Sequence, residues 1–181
     1  MEAINYKLVV TVSLVMSLLN ASDTVMVLDG SGSMIYNQSQ MKSSIDKGLK
    51  KGFSAIGFGS EVYPINKTSD YIIDGSTAMS KALNYIDKNL KDVQYSILVS
   101  DGAPDRVALT EEAAQRLHSK GIKICSSFVG DGDIPQVLFD ISDVVFKSDI
   151  DSAISKCTGR VKQELIGAAI VKDIDENAFS F

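Results

Sequence analysis

A chain of 181 residues with 45% hydrophobic and 23% charged side chains has a globular composition, and at this length one domain buries roughly two-thirds of the surface its unfolded form exposes. Its 18 lysines and arginines against 23 acids leave a net charge of −5 and form no basic stripe, so a row of nucleic-acid phosphates has nothing to bind. A single histidine, His118, and two cysteines, Cys125 and Cys157, with no CxxC pair exclude a Cys/His zinc cluster; the cysteines are expected as buried reduced thiols, because free Cys packs as a small hydrophobe.

Residues 1–22 carry the apolar run Leu8 to Leu19 (LVVTVSLVMSLL), too short for a bilayer, which needs about 20 apolar residues. The run reads as a strand or helix of the fold, and the protein is then expected in the cytoplasm. The alternative is a signal-like segment of a secreted protein, with the small residues Asn20, Ala21 and Ser22 after it, although Glu2 weakens the basic leader such a segment needs.

Residues 23–158 read as the main domain. Thr24 to Leu28 (TVMVL) is a nearly continuous apolar run, the pattern of a strand buried on both faces of a parallel sheet. Gln40 to Lys51 is a helix with Met41, Ile45 and Leu49 on one face. Phe53 to Phe58 is the second strand, which EVYPIN extends as a hairpin whose Pro64 favours a sheet edge. Thr77 is placed to cap a helix over Ala78 to Leu90, with Met79, Ala82, Leu83 and Ile86 as its apolar stripe.

Tyr95 to Ser100 (YSILVS) is another buried strand. Leu109 to Lys120 is a helix with Thr110, Glu111 and Glu112 at its start and Lys120-Gly121 at its end, the polarity that suits a helix dipole and C-cap. Strands over Ile122 to Val129 and Val144 to Phe146 and a helix over Ile150 to Cys157 follow. Residues 159–181 add a helix from Val161 and a polar tail ending in Phe179 and Phe181. Strands alternating with helices define an α/β class: a doubly wound, mostly parallel, Rossmann-like sheet flanked by helices, with ligands at the carboxyl ends of the strands.

The loop after the first strand, DGSGSM from Asp29, is the chemically distinctive stretch. A dinucleotide fingerprint needs glycine where Ile35 stands, and a phosphate loop needs a lysine that is absent. No GxSxG elbow surrounds either serine, and His118 is a poor base for a triad. An EF-hand loop wants carboxylates where Ser31 and Ser33 supply hydroxyls. A dehalogenase-type phosphatase, with Asp29 as nucleophile, wants a second carboxylate at position 31. What remains is a hard divalent cation bound by oxygen: Asp29, Ser31 and Ser33 alternate, so on extended backbone they point one way. Thr77 in DGSTAMSKAL and Asp101 in LVSDGAPD stand at other strand ends on the same edge.

These residues resemble a von Willebrand factor type A domain, whose metal-ion-dependent adhesion site (MIDAS) is written DxSxS, then T, then D. Asp29, Ser31 and Ser33 match the first element after an apolar strand, Thr77 the second with Ala82-Leu83 following, and Asp101 the third in the setting SDG. The resemblance covers about residues 23–158, and the short intervals between motifs suggest a compact version of prokaryotic or viral kind. It implies direct coordination by the two serines, with Thr77, Asp29 and Asp101 binding directly or through water. It also implies Mg²⁺, with Mn²⁺ or Ca²⁺ as alternatives, and a non-enzymatic module in which an Asp or Glu of a protein partner completes the coordination.

By the same analogy the partner is an AAA-type ATPase for a cytoplasmic protein, or an adhesion or assembly component for a secreted one. The rival is a structural subunit whose metal motif serves the fold or an assembly contact. Asp131 and Asp133 before Pro135 read as a turn that could touch the rim of the site, Asp105 as a residue that shapes the ligand surface or caps a turn, and His118 as solvated.

Overall fold

The computed structural model describes residues 23–158, and the expectations for Leu8 to Leu19 and for residues 159–181 lie outside that range. Six strands form one sheet: β1 (Thr24–Asp29), β2 (Ser54–Phe58), β3 (Val62–Pro64), β4 (Tyr95–Ser100), β5 (Lys123–Phe128) and β6 (Val144–Lys147), in the order β3-β2-β1-β4-β5-β6. All neighbours are parallel except β3, which pairs antiparallel with β2 at the edge that Pro64 favours. The described helices are α1 (Gln38–Lys50), α2 (Met79–Asn89), α3 (Val107–Ser119), α4 (Gln136–Ile141) and α5 (Ile150–Thr158), with a 3₁₀ segment Gly32–Asn37 leading into α1.

The central strand shows why the sheet is doubly wound. Every residue of β1 is buried, and alternate side chains enter two cores. Val25 and Val27 pack with Leu98, Leu83, Ile86 and Leu117 on the α2/α3 face, whereas Met26 and Leu28 pack with Ile97, Met41, Ile45 and Ile154 on the α1/α5 face. From β1 the chain winds outward to β2 and β3, then returns across β1 to β4 and winds the other way. The strand order therefore reverses between β1 and β4, and the carboxyl ends of these two strands open the crevice where such sheets bind ligands.

Several boundaries move. Ala78, not Thr77, stands at the N-cap of α2, and no side chain caps it. Helix α3 begins at Val107, so Glu111 and Glu112 lie beyond its first turn, while the Thr110 hydroxyl turns inward and donates to the Arg106 carbonyl at 2.9 Å. The short α4 has no counterpart in the sequence reading, because six residues do not sustain a visible period. His118 is exposed as expected, with Nε2 at 3.4 Å from the Asp143 carboxylate.

The cysteines require a correction. Cys125 of β5 and Cys157 of α5 are joined in a disulfide with their Cα atoms 6.0 Å apart, so they are not reduced thiols. Their wide separation in sequence hides the pairing, and the fold creates it by laying α5 across β5. Among the described residues no helix is long and apolar enough to cross a membrane.

The bond closes a loop of 32 residues, for which the chain-entropy relation gives about 3–4 kcal/mol. Cys157→Ser is expected to lose about that much in urea unfolding, and reductant should lower the wild type to the same midpoint. Equal midpoints for oxidised and reduced wild type would contradict this.

Candidate metal centre

Asp29 ends β1 and Ser100 ends β4. The period of two places both side chains on the face of Val27 and Leu98, and the Ser100 hydroxyl donates to Asp29 Oδ2 at 2.5 Å. The other Asp29 oxygen, Oδ1, accepts the Ser31 amide at 2.8 Å, which folds the loop back over the strand end. The Ser31 and Ser33 hydroxyls are 3.1 Å apart, and Ser33 donates to Asp101 Oδ1 at 2.8 Å. Asp29, Ser31, Ser33 and Asp101 are thus one hydrogen-bonded chain, joined by the Ser31 amide at Asp29 and by the two serine hydroxyls from there to Asp101. Asp29 and Ser31 are buried, Asp101 is half-buried and Ser33 exposed, so the chain runs from the core to the surface.

Thr77 reaches the same edge without joining that chain. The Gly32 amide donates to the Gly75 carbonyl at 3.3 Å and brings the segment before Thr77 alongside the serine loop. The Thr77 amide donates to Asp105 Oδ1 at 3.1 Å, and the Asp105 amide donates back to the Thr77 carbonyl at 3.1 Å. Asp105 therefore clamps the Thr77 backbone across the edge, a long-range contact that differs from the local turn cap of its reading. Asp131 and Asp133 lie in the loop after β5, which lines a groove of about 440 Å³ together with Ser33, Tyr36 and Asp101.

Sequence reasoning missed the residues that hold the loop from behind. The Tyr71 hydroxyl donates to the Asp29 carbonyl at 2.5 Å, and the Tyr63 hydroxyl donates to the Ile72 carbonyl at 2.7 Å while accepting the Ile72 amide at 3.1 Å. Burial raises both phenols above their ordinary pKa, so they remain donors at any physiological pH. Gly30 is squeezed between these supports. Its amide donates to the Phe58 carbonyl at 2.6 Å, and a Cβ there would come within 2.5 Å of the Ile72 carbonyl oxygen. No local pattern marks Tyr63 or Tyr71, since each acts across the sheet edge. Ser100 could have been found, as it ends the buried strand directly before Asp101.

The donor set suits a hard cation. Among the described residues no three His, Cys, Asp or Glu side chains converge on a common point, so any ion at this edge has hydroxyls and at most two carboxylates to bind. Mg²⁺ accepts such an oxygen set and usually retains water. Burial raises Asp29 from 3.8 to about 6, against hydrogen bonds from Ser100 and Ser31 that lower it, and the nearby Asp101 charge raises it further.

No protein-family model matches the sequence, and no curated protein matches it either. Solved structures do. Proximal thread matrix protein 1 from the mussel byssus, at 18% identity and a TM-score of 0.58, matches over 73% of this chain and 45% of its own, and one of its structures has a zinc-occupied MIDAS motif. Manganese-loaded Plasmodium vivax TRAP protein, at 21% identity and a TM-score of 0.61, matches over 75% of this chain and 72% of its own. The chain thus spans less than half the length of the mussel protein it resembles. Its fold is the von Willebrand factor type A fold, the doubly wound α/β architecture that the sequence pattern implies.

Because the folded pKa of Asp29 lies above the unfolded value of 3.8, its contribution favours the metal-free fold at low pH and is lost as pH rises through about 6. Full ionisation costs on the order of 3 kcal/mol. In EDTA, Asp29→Asn is therefore expected to melt progressively above wild type as pH increases from about 4 to 7. A melting difference that does not change with pH would show that the buried charge carries no such cost.

Proposed function

We propose that this chain is a non-enzymatic protein-interaction module whose cation is held by Asp29, Ser31, Ser33, Thr77 and Asp101. The observation that carries the reading is the hydrogen-bonded chain of Asp29, Ser31, Ser33 and Asp101, which gathers two carboxylates and two hydroxyls at the switch point of the sheet. The two solved relatives carry zinc or manganese, which supports a divalent cation here, and the oxygen-only set favours Mg²⁺ over softer ions. A cation bound mainly by hydroxyls and water supplies an electrophilic point that a partner's Asp or Glu carboxylate can occupy.

The surroundings support a protein partner. Ile35 and Tyr36 follow the serines directly and are 59% and 91% exposed, and Ile72, behind Gly30, is 53% exposed. Exposed apolar side chains gathered on the loops of a polar site are a mark of protein recognition. Catalysis by Asp29 has little support, because a nucleophile must meet its substrate directly and Asp29 is fully buried with a hydrogen bond on each oxygen, whereas a carboxylate so placed can still hold a cation through water.

The buried disulfide favours maturation in an oxidising compartment, and so the secreted alternative over the cytoplasmic one. The same observation favours an adhesion or assembly component over an AAA-type ATPase as partner. Spectroscopy and proton relaxation with Mn²⁺ test the reading. Wild type is expected to bind one Mn²⁺ that still carries water, and a peptide with a single Asp should reduce the relaxation enhancement by displacing one of those waters. Asp29→Ala should bind no Mn²⁺ while keeping its circular dichroism. Equal Mn²⁺ binding by Asp29→Ala would contradict the assignment.

A further inference from the structure

The proposed metal edge has two flanks of different electrostatic character, one acidic and one of mixed charge. On the β5 side, the groove that includes Ser33 and Tyr36 is lined by Asp101, Asp131 and Asp133 and, among the described residues, by no lysine or arginine. On the α2/α3 side, beyond Thr77, a second groove of about 410 Å³ is lined by Ser76, Ser80, Lys81, Asn84, Asp105 and Arg106.

Several polar groups of the second groove keep hydrogen-bonding capacity. Asp105 has already turned one carboxylate oxygen to the Thr77 amide. Asn84 accepts from Arg116 through Oδ1 at 2.7 Å, and both N–H bonds of its amide remain to donate. Lys81 donates to the Ser60 carbonyl at 2.7 Å and to Glu61 at 2.6 Å, which leaves one ammonium N–H. Arg106 is exposed, and among the described residues its guanidinium makes no hydrogen bond or ion pair. The free groups are thus mostly donors, although one Asp105 oxygen also remains; with Lys81 paired to Glu61, Arg106 is the unpaired cation among them, beside a site already read as taking a carboxylate.

We infer that the partner segment carries two acids: one meets the metal edge, and the second, a few residues away in sequence, docks in the α2/α3 groove on Arg106, Lys81 and Asn84. The inference rests on the metal-site reading above and adds a direction to it. The partner's second acid lies toward α2 and α3, because the opposite flank, with its three aspartates, repels it. Arg106 is the main specificity determinant, because its planar fork pairs with a carboxylate through two parallel hydrogen bonds.

The test uses capped Ala/Gly peptides titrated into the full chain in Mn²⁺ and followed by fluorescence anisotropy. The peptides carry one Asp, or that Asp with a second Asp, Ser or Lys placed two to four residues to either side. The best two-Asp peptide is expected to bind about fivefold tighter than its Ser counterpart, the upper range for an exposed charge pair, with the gain shrinking as salt is added. The Lys peptide of the same spacing should gain nothing.

In Arg106→Ala the gain should fall to about the Ser level, while the single-Asp peptide keeps its wild-type affinity. A second Asp that adds no more than Ser, or a gain that survives in Arg106→Ala, would overturn the inference and leave the metal reading standing. Single-Asp binding that persists unchanged in EDTA would instead overturn the metal reading, and the direction with it.

Discussion

The hydrogen bond from Ser100 to Asp29 joins the carboxyl ends of β1 and β4 where the strand order reverses, and the candidate site is built on it. A carboxylate without exposure needs compensation, and Asp29 receives it from a hydroxyl on one oxygen and a backbone amide on the other. The amide belongs to Ser31, so satisfying Asp29 also sets the bend that turns the Ser31 and Ser33 hydroxyls toward Asp101. The loop's oxygens are therefore positioned by the same bonds that make the buried charge tolerable.

Even so compensated, Asp29 is held well above the ordinary carboxylate range, first by burial and then by repulsion from Asp101. Such strain is typical of functional sites, where stability is given up for a poised charge. The supports behind the loop resist its collapse. Tyr71 holds the Asp29 carbonyl, Tyr63 holds the Ile72 backbone, and Gly30 allows the chain to pass close between them. Opposite, Asp105, in the loop that follows Asp101, fixes the Thr77 backbone, so the second motif element is clamped by the loop that carries the third.

Much of this was legible in the sequence because the informative signals are local. TVMVL and YSILVS are continuous apolar runs, and each forms a strand buried in the sheet. The alternation of Asp29, Ser31 and Ser33 and the strand-end position of Asp101 foretold their meeting, since side-chain period and parallel topology determine both. Thr77 was placed on the right edge but misread as a helix cap, and the structure gives its hydroxyl no bond to the other four residues. The disulfide, Tyr63, Tyr71 and the Asp105 clamp were not legible, because each depends on contacts between segments distant in sequence. Their residue types carry no local pattern, and only the docking of α5 on β5 shows why Cys125 and Cys157 should be partners.

The proposed function requires an ion bound at this edge and not elsewhere on an acidic surface. Anomalous diffraction at the manganese edge from crystals grown in Mn²⁺ tests that most directly. The expected result is a single strong peak among the side-chain oxygens of Ser31, Ser33, Thr77 and Asp101, with Asp29 bonded directly or through water. No peak there, or a peak confined to Asp131 and Asp133, would contradict the assignment of this edge as a metal site.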